Sequence, residues 1–198
     1  MIMKNVESPK VPSNYSFNLR FPISDIEEYS KKYIEGLKPK ELKQETELLE
    51  LSPIVANRGG YLTISELEKV GNWKSVRSKP KIKANHPDFV KEVTLVAFST
   101  PSEKLRIEVL TLLQGVAWPT ASVLLHLFHR EKYPIIDYRA LSSLDCVVKY
   151  QDYNFEFWLA YTAYTNDLAK KANVTMRTLD RALWKYSKLN DQKSSDFL

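Results

Sequence analysis

The sequence predicts an all-α fold, and three observations carry that prediction. No stretch alternates apolar and polar residues in the way a half-buried strand demands. Ser24 with Glu27, and Thr63 with Glu66, show the spacing of a capping box, in which two side chains satisfy N–H groups that a helix start leaves unpaired. Near the C-terminus, Met176, Leu179, Leu183 and Tyr186 recur at helical spacing, with Arg177, Arg181, Lys185 and Lys188 on another face. That basic stripe reads as the solvated side of an amphipathic helix, with contact to DNA phosphates as the alternative.

The elements follow in chain order. Residues 1–20 are polar and proline-bearing and are expected to be a flexible arm that orders only against the body. Ser24 then caps a helix with Ile26, Tyr29, Tyr33 and Ile34 on its apolar face. The Leu-, Glu- and Lys-rich run from 39 to about 55 makes a second helix, and Gly59-Gly60 ends it in a turn. Thr63 starts a third, through Leu67 and Val70 toward Trp73. Residues 73–83 hold five basic residues among eleven, and Pro80 argues against regular structure there. This segment is expected to be a loop gripping a phosphate backbone with Lys74, Arg77, Lys79, Lys81 and Lys83, while Trp73 stacks on a base or sugar. A solvated basic linker with Trp73 as a core anchor is the competing reading.

Helix resumes from 87 to about 98, and Thr100-Pro101-Ser102-Glu103 supplies an N-cap, a first-turn proline and a capping glutamate for the next. Residues 108–137 form two helices joined by a tight hairpin at Gly115-Val116-Ala117, with Pro119 in the first turn of the second. A helix follows from 138 to about 144, Asn154 caps an aromatic-rich core helix, and Thr175 caps the last. The organisation expected is one all-α domain over 21–190, or two small lobes, with a disordered tail at 191–198.

Composition sets the outer bounds. A chain of 198 residues with 43% hydrophobic and 12% aromatic residues has enough apolar surface for its own core. A net charge of +5 and a pI near 9.1 favour a polyanionic partner. The one cysteine, Cys146, excludes an internal disulfide and a four-cysteine iron–sulfur cluster, and fits a cytoplasmic setting. The start lacks the apolar run of a signal peptide, and no segment is long enough to span a bilayer. No glycine pattern for a dinucleotide or P-loop nucleotide is present. His126 and His129 share a helical face, but His86 is distant and neither a cysteine pair nor an H-E-x-x-H pattern accompanies them, so no metal or other cofactor is expected.

The hairpin carries the functional signal. Leu113, Gly115, Val116, Thr120 and Ala121, followed by Ile135-Ile136-Asp137, resemble the helix-hairpin-helix DNA glycosylase superfamily, whose hairpin runs roughly L-x-G-V-G-x-x-T-A ahead of a catalytic aspartate. The interval from Pro119 to Asp137 is eighteen residues, as in the better-known branches, and the resemblance covers about thirty residues. It implies a monomeric enzyme that binds double-stranded DNA through Gly115, Val116, Ala117, Trp118 and Thr120, with Asp137 catalytic. Two positions depart from the family pattern. Ala117 replaces the second glycine, where a Cβ makes a left-handed backbone angle costlier and keeps a phosphate further off. Pro119 stands where bifunctional members carry a Schiff-base lysine, which implies a monofunctional glycosylase. Should a covalent adduct form, Lys132 and Lys149 are the first lysines to test. A hairpin module that binds DNA without chemistry is the alternative that Ala117 supports.

Cleaving an N-glycosidic bond develops positive charge on the sugar, which a carboxylate near C1′ offsets. Asp137 also stands where a helix begins, and aspartate is a favoured N-cap, so it has a structural role beside the implied catalytic one. The bond is reached only by extruding the nucleotide, which calls for an aromatic pocket; Trp118, Tyr138, Tyr133 and Trp73 are its candidates, with Arg139 and Arg181 in support.

Overall fold

The computed structural model describes residues 14–129 and 132–191, and every regular element among them is helical. Ten α-helices run α1 Ile26–Glu35, α2 Pro39–Asn57, α3 Ile64–Lys74, α4 Lys79–Lys83, α5 Pro87–Ser99, α6 Glu103–Glu108, α7 Trp118–Phe128, α8 Tyr138–Ser143, α9 Phe155–Lys171 and α10 Met176–Asn190. No helix among the described residues is long and apolar enough to cross a membrane.

The helices pack in two groups. In the middle of the chain α7 is buried from Thr120 to Phe128 without a polar face, and it contacts α2, α3 and α6. The two ends of the chain form the other group, in which α10 packs against α1, α8 and α9. Aromatic contacts explain the pairing of α1 with α10, since Phe21 stacks on Tyr186 at 4.6 Å and Tyr29 meets the same ring edge-on at 5.3 Å. Residues 14–20 lie along the body. The Asn18 and Arg20 N–H groups donate to the Leu144 and Ser143 carbonyls at 2.7 and 3.0 Å, and Phe17 packs against Tyr161 and Tyr164. The expected arm before residue 14 and the expected tail beyond 191 lie outside the described residues.

Helix starts at Thr63, Asn154 and Thr175 are capped as the sequence predicts, each side chain accepting from the N–H three residues on. Three expectations are corrected. Ser24 caps nothing: its hydroxyl donates to Asp25, residues 23–25 make a 3-10 turn, and α1 starts after it. Thr100 is extended at ψ 141 because it precedes Pro101, so it closes α5, and Ser102 caps α6 instead. Residues 73–83 are no loop. Helix α3 continues to Lys74, and after a 3-10 turn Pro80 sits in the first turn of α4, where its missing N–H breaks no bond.

Short α4 is what holds the hairpin. Gly115 has φ +81, and a Cβ there would come within 2.9 Å of Ile82 Cγ1 and 3.0 Å of the Ser78 carbonyl oxygen. Just after α4, the buried Asn85 amide reaches across: its Oδ1 accepts from the Gln114 N–H at 2.8 Å and its Nδ2 donates to the Gln114 and Ile82 carbonyls. Ala117, by contrast, is extended at φ −106. The expected backbone penalty for a Cβ at this position is therefore absent.

Gly115→Ala should accordingly cost about 1–3 kcal/mol, from a disfavoured φ and a contact with backbone that cannot yield. Ala117→Gly should stay within about 1 kcal/mol of the parent, since glycine serves as an N-cap. Thermal or urea unfolding of the two variants checks this; equal stability of Gly115→Ala and the parent would contradict the described turn.

Candidate active site and nucleic-acid groove

The segment leading to Asp137 is fixed from three sides. The His126 Nδ1–H donates to the Tyr133 carbonyl at 2.6 Å, the Tyr161 hydroxyl donates to the Ile135 carbonyl at 3.0 Å, and the Ile136 N–H donates to the Ser122 hydroxyl at 2.9 Å. Burial pushes the His126 imidazolium pKa down to about 3, so the ring is neutral and can serve this role at any ordinary pH. Asp137 then caps α8, with Oδ1 accepting from the Arg139 N–H at 3.0 Å. Its other oxygen, Oδ2, accepts from Lys74 Nζ at 2.7 Å, and the same ammonium reaches the Ile136 carbonyl at 3.3 Å. The capping role is thus real, and it takes one carboxylate oxygen while Lys74 takes the other.

Asp137 and Lys74 stand on the wall of a cavity of about 320 Å³ between the two helix groups, with Tyr33 of α1, Glu41 of α2, Trp73 of α3 and Trp184 of α10 around it. Behind it lies a buried charge cluster. Glu45 of α2 accepts from Arg177 Nη2 at 2.8 Å, from Arg181 Nε at 2.9 Å and from the Tyr33 hydroxyl at 3.0 Å. Arg177 also pairs with Asp180 at 2.5 Å and lies over the Trp73 and Tyr33 rings at 5.4 and 5.8 Å. Burial works to raise the Glu45 pKa, yet the two arginines outweigh it and hold the carboxyl below its ordinary value. Asp180 is pushed up to about 6 by burial, with the charges of Asp137 and Glu45 adding to the effect against Arg177 and Lys74. Together with Lys74 and Asp137 the cluster sets three cations against three carboxylates.

A second, more open cavity of about 490 Å³ runs along the hairpin, lined by Gly115, Val116, Ala117 and Thr120 on one side and by Lys74, Ser75, Arg77 and Lys81 on the other. The start of α7 has no side-chain cap, so its first-turn N–H groups retain the character of an anion site. Lys74 lines both cavities and joins them. Tyr150, 63% exposed, stands at the rim of the groove.

Several expected site residues fall elsewhere. Tyr133 is 5% exposed, stacks on Trp158 and donates its hydroxyl to Glu103, so it belongs to the core beneath the site. Trp118 packs against the core and Tyr138 is exposed with the Arg139 guanidinium over its ring; neither lines the two cavities described. Arg139 touches Asp137 through its backbone N–H, while Arg181 pairs with Glu45. Lys74 lines the groove but pairs its ammonium with Asp137. Lys83 lies 3.8 Å from Glu68, and Lys79 is exposed but away from the groove walls. The two histidines are engaged, His126 with Tyr133 and His129 Nε2 accepting from Arg106 at 2.6 Å. No three His, Cys, Asp or Glu side chains converge on a metal-sized site among the described residues. The buried Cys146 thiol is pushed up to about 11, chiefly by burial, which keeps it protonated and unreactive.

Sequence inspection missed Tyr33, Glu45, Asp180 and Trp184. One local signal was available for Asp180: it follows Arg177 by three residues on one helix, the spacing of an ion pair. Nothing local marks Glu45.

Removing the Glu45 carboxylate strands the Arg181 guanidinium and leaves Arg177 with Asp180 alone, so Glu45→Ala should cost about 3–5 kcal/mol in denaturant unfolding; a loss within about 0.5 kcal/mol would mean the cluster does not hold the helix groups together. Asp180 makes the opposite kind of prediction. Because its folded-state pKa is raised from 3.8 to about 6, the folded protein binds the proton more tightly than the unfolded chain, and ionisation costs stability as pH rises through that window. Asp180→Asn should therefore gain stability relative to the parent between about pH 4 and about pH 6, and a pH-independent difference would contradict it.

No family model, curated protein or solved structure matches this chain, so its function has to be read from the geometry of the site itself.

Proposed function

We propose that the protein is a DNA glycosylase, binding duplex DNA along the hairpin groove and releasing a modified or damaged base whose nucleotide is turned into the aromatic cavity. The observation that carries this reading is the position of Asp137, a carboxylate on the wall of an aromatic-lined cavity that connects through Lys74 with a basic groove over the hairpin. Extruding a nucleotide requires both spaces side by side, one for phosphates and one for a base. Trp73, Tyr33 and Trp184 offer ring faces and edges for the base, while Arg77, Lys81 and the start of α7 suit phosphates. In this reading the sugar lies beside Asp137, whose carboxylate the cap bond holds on the cavity wall, and the negative charge there stabilises the developing oxocarbenium ion. Ala117 is extended, so its Cβ carries no backbone penalty in the hairpin.

Duplex affinity should fall steeply with added salt, and Arg77→Ala with Lys81→Ala should weaken binding to all duplexes alike and shallow the salt dependence, since phosphate contacts carry no base information. Binding that ignores salt, or a loss confined to one sequence, would contradict the groove. The chemistry is tested on duplexes that each carry one alkylated, oxidised or deaminated base. Asp137→Asn keeps a capping side chain but no charge, so single-turnover release of the sensitive base should drop on the order of a hundredfold or more. Release at the parent rate would remove Asp137 from the reaction, and no release of any base by the parent protein would remove the activity.

A further inference from the structure

Lys74, Arg177 and Arg181, the cations in and behind the aromatic cavity, each have a carboxylate partner. Two cations just outside it have none among the described residues. The Arg139 guanidinium lies 5.7 Å from the centre of the Trp184 ring and the Lys188 ammonium 4.7 Å from it, so two unneutralised charges gather on one indole. The Arg139 head also covers the Tyr138 ring at 4.9 Å, which restricts where it can turn, and Lys188 is exposed to solvent. Trp184 itself walls the cavity that holds Asp137, and it meets the Tyr33 ring edge-on at 5.3 Å. It is no part of the hairpin groove, which reaches the cavity through Lys74. The two cations therefore stand beyond a wall of the cavity that the groove does not share.

Like charges held over one ring repel, and a single anion within reach of both relieves that repulsion. An arginine fork beside a lysine point charge is a pairing that takes a phosphate. Extruding a nucleotide creates a use for such a site. Every nucleotide within a strand has a phosphate on each side, and holding only one of them leaves the turned-out sugar free to swing away from the reacting geometry. The hairpin groove, with Arg77 and Lys81, offers contacts on one side. We propose, resting on the glycosylase reading above, that Arg139 and Lys188 form a second phosphate site, which holds the same strand on the opposite side of the extruded nucleotide. The backbone then runs from Arg77 and Lys81, past Asp137, to the Arg139–Lys188 pair. Neither anchor touches a base, so discrimination between bases is left to the cavity. The basic stripe of α10 divides accordingly: Arg177 and Arg181 turn inward to Glu45, and Lys188 serves the strand.

The test uses the full chain and a duplex with one tetrahydrofuran site, a stable abasic mimic that requires no base release. In separate duplexes one phosphate of that strand at a time is replaced by an uncharged methylphosphonate, and affinity is measured by fluorescence anisotropy. For the parent, binding should weaken on both sides of the tetrahydrofuran site, by roughly tenfold at each sensitive position. In the double variant Arg139→Gln, Lys188→Gln the sensitivity on one side should vanish while the other remains, and the slope of log affinity against log salt should become shallower by about one. In Arg77→Ala with Lys81→Ala the side that loses its sensitivity should be the other one. A parent that binds the duplex but is sensitive on one side only overturns the second site and leaves the glycosylase reading standing, as does a glutamine variant that keeps both sensitive sides. A parent that binds no duplex overturns both. Should the glutamine variant fail to fold, Lys188→Ala at its exposed position replaces it: sensitivity reduced on one side alone supports the second site, and sensitivity unchanged on both sides overturns it.

Discussion

A single buried carboxylate sets much of this structure. Glu45 lies on α2 in the middle of the chain, and the two guanidinium groups that neutralise it come from α10 near the end. Each of these charges loses hydration on folding, and only the full set of contacts repays that loss. Placement of α2 against α10 is consequently specific, and so is the space between them. Arg177 transmits the constraint onward, because it holds Asp180 and covers the Trp73 and Tyr33 rings that wall the cavity. The aromatic faces are thus positioned by an electrostatic arrangement behind them.

The site collects residues from both helix groups. Lys74 ends α3, Asp137 begins α8, and Trp184 projects from α10. Asp137 is delivered by a segment whose backbone is pinned by His126, Tyr161 and Ser122, all from helices of the core. The hairpin depends likewise on its neighbours: Ile82 and Ser78 close over Gly115, and Asn85 bonds to both the N–H and the carbonyl of Gln114. A basic segment that looks like an independent loop is therefore the clamp that shapes the groove. Its charged residues divide accordingly, with Arg77 and Lys81 facing the groove and Lys74 turned inward to the carboxylate.

What the sequence determined by itself was the all-helical class, most helix starts, and the positions of the hairpin and of Asp137 as a cap. These rest on bonds spanning two to four residues, such as Thr63 to Glu66 and Asp137 to Arg139, and so the pattern that encodes them is contiguous. Even there, a neighbouring rule overrode the simplest reading at Thr100, which Pro101 forces out of the helical region. Tertiary structure alone decided which charges are solvated and which are paired. The stripe of Arg177 and Arg181 has the periodicity of a wet surface, but Glu45, 136 residues from Arg181, turns it inward. Lys74 has the composition of a phosphate contact, and Asp137 makes it half of an ion pair. Tyr133, close to Asp137 in sequence, falls into the core because it packs on Trp158 and Glu103 takes its hydroxyl. A cap bond is fixed by local backbone geometry, whereas the partner of a charge or a ring is fixed by which distant helix packs against it, and no window of sequence contains both.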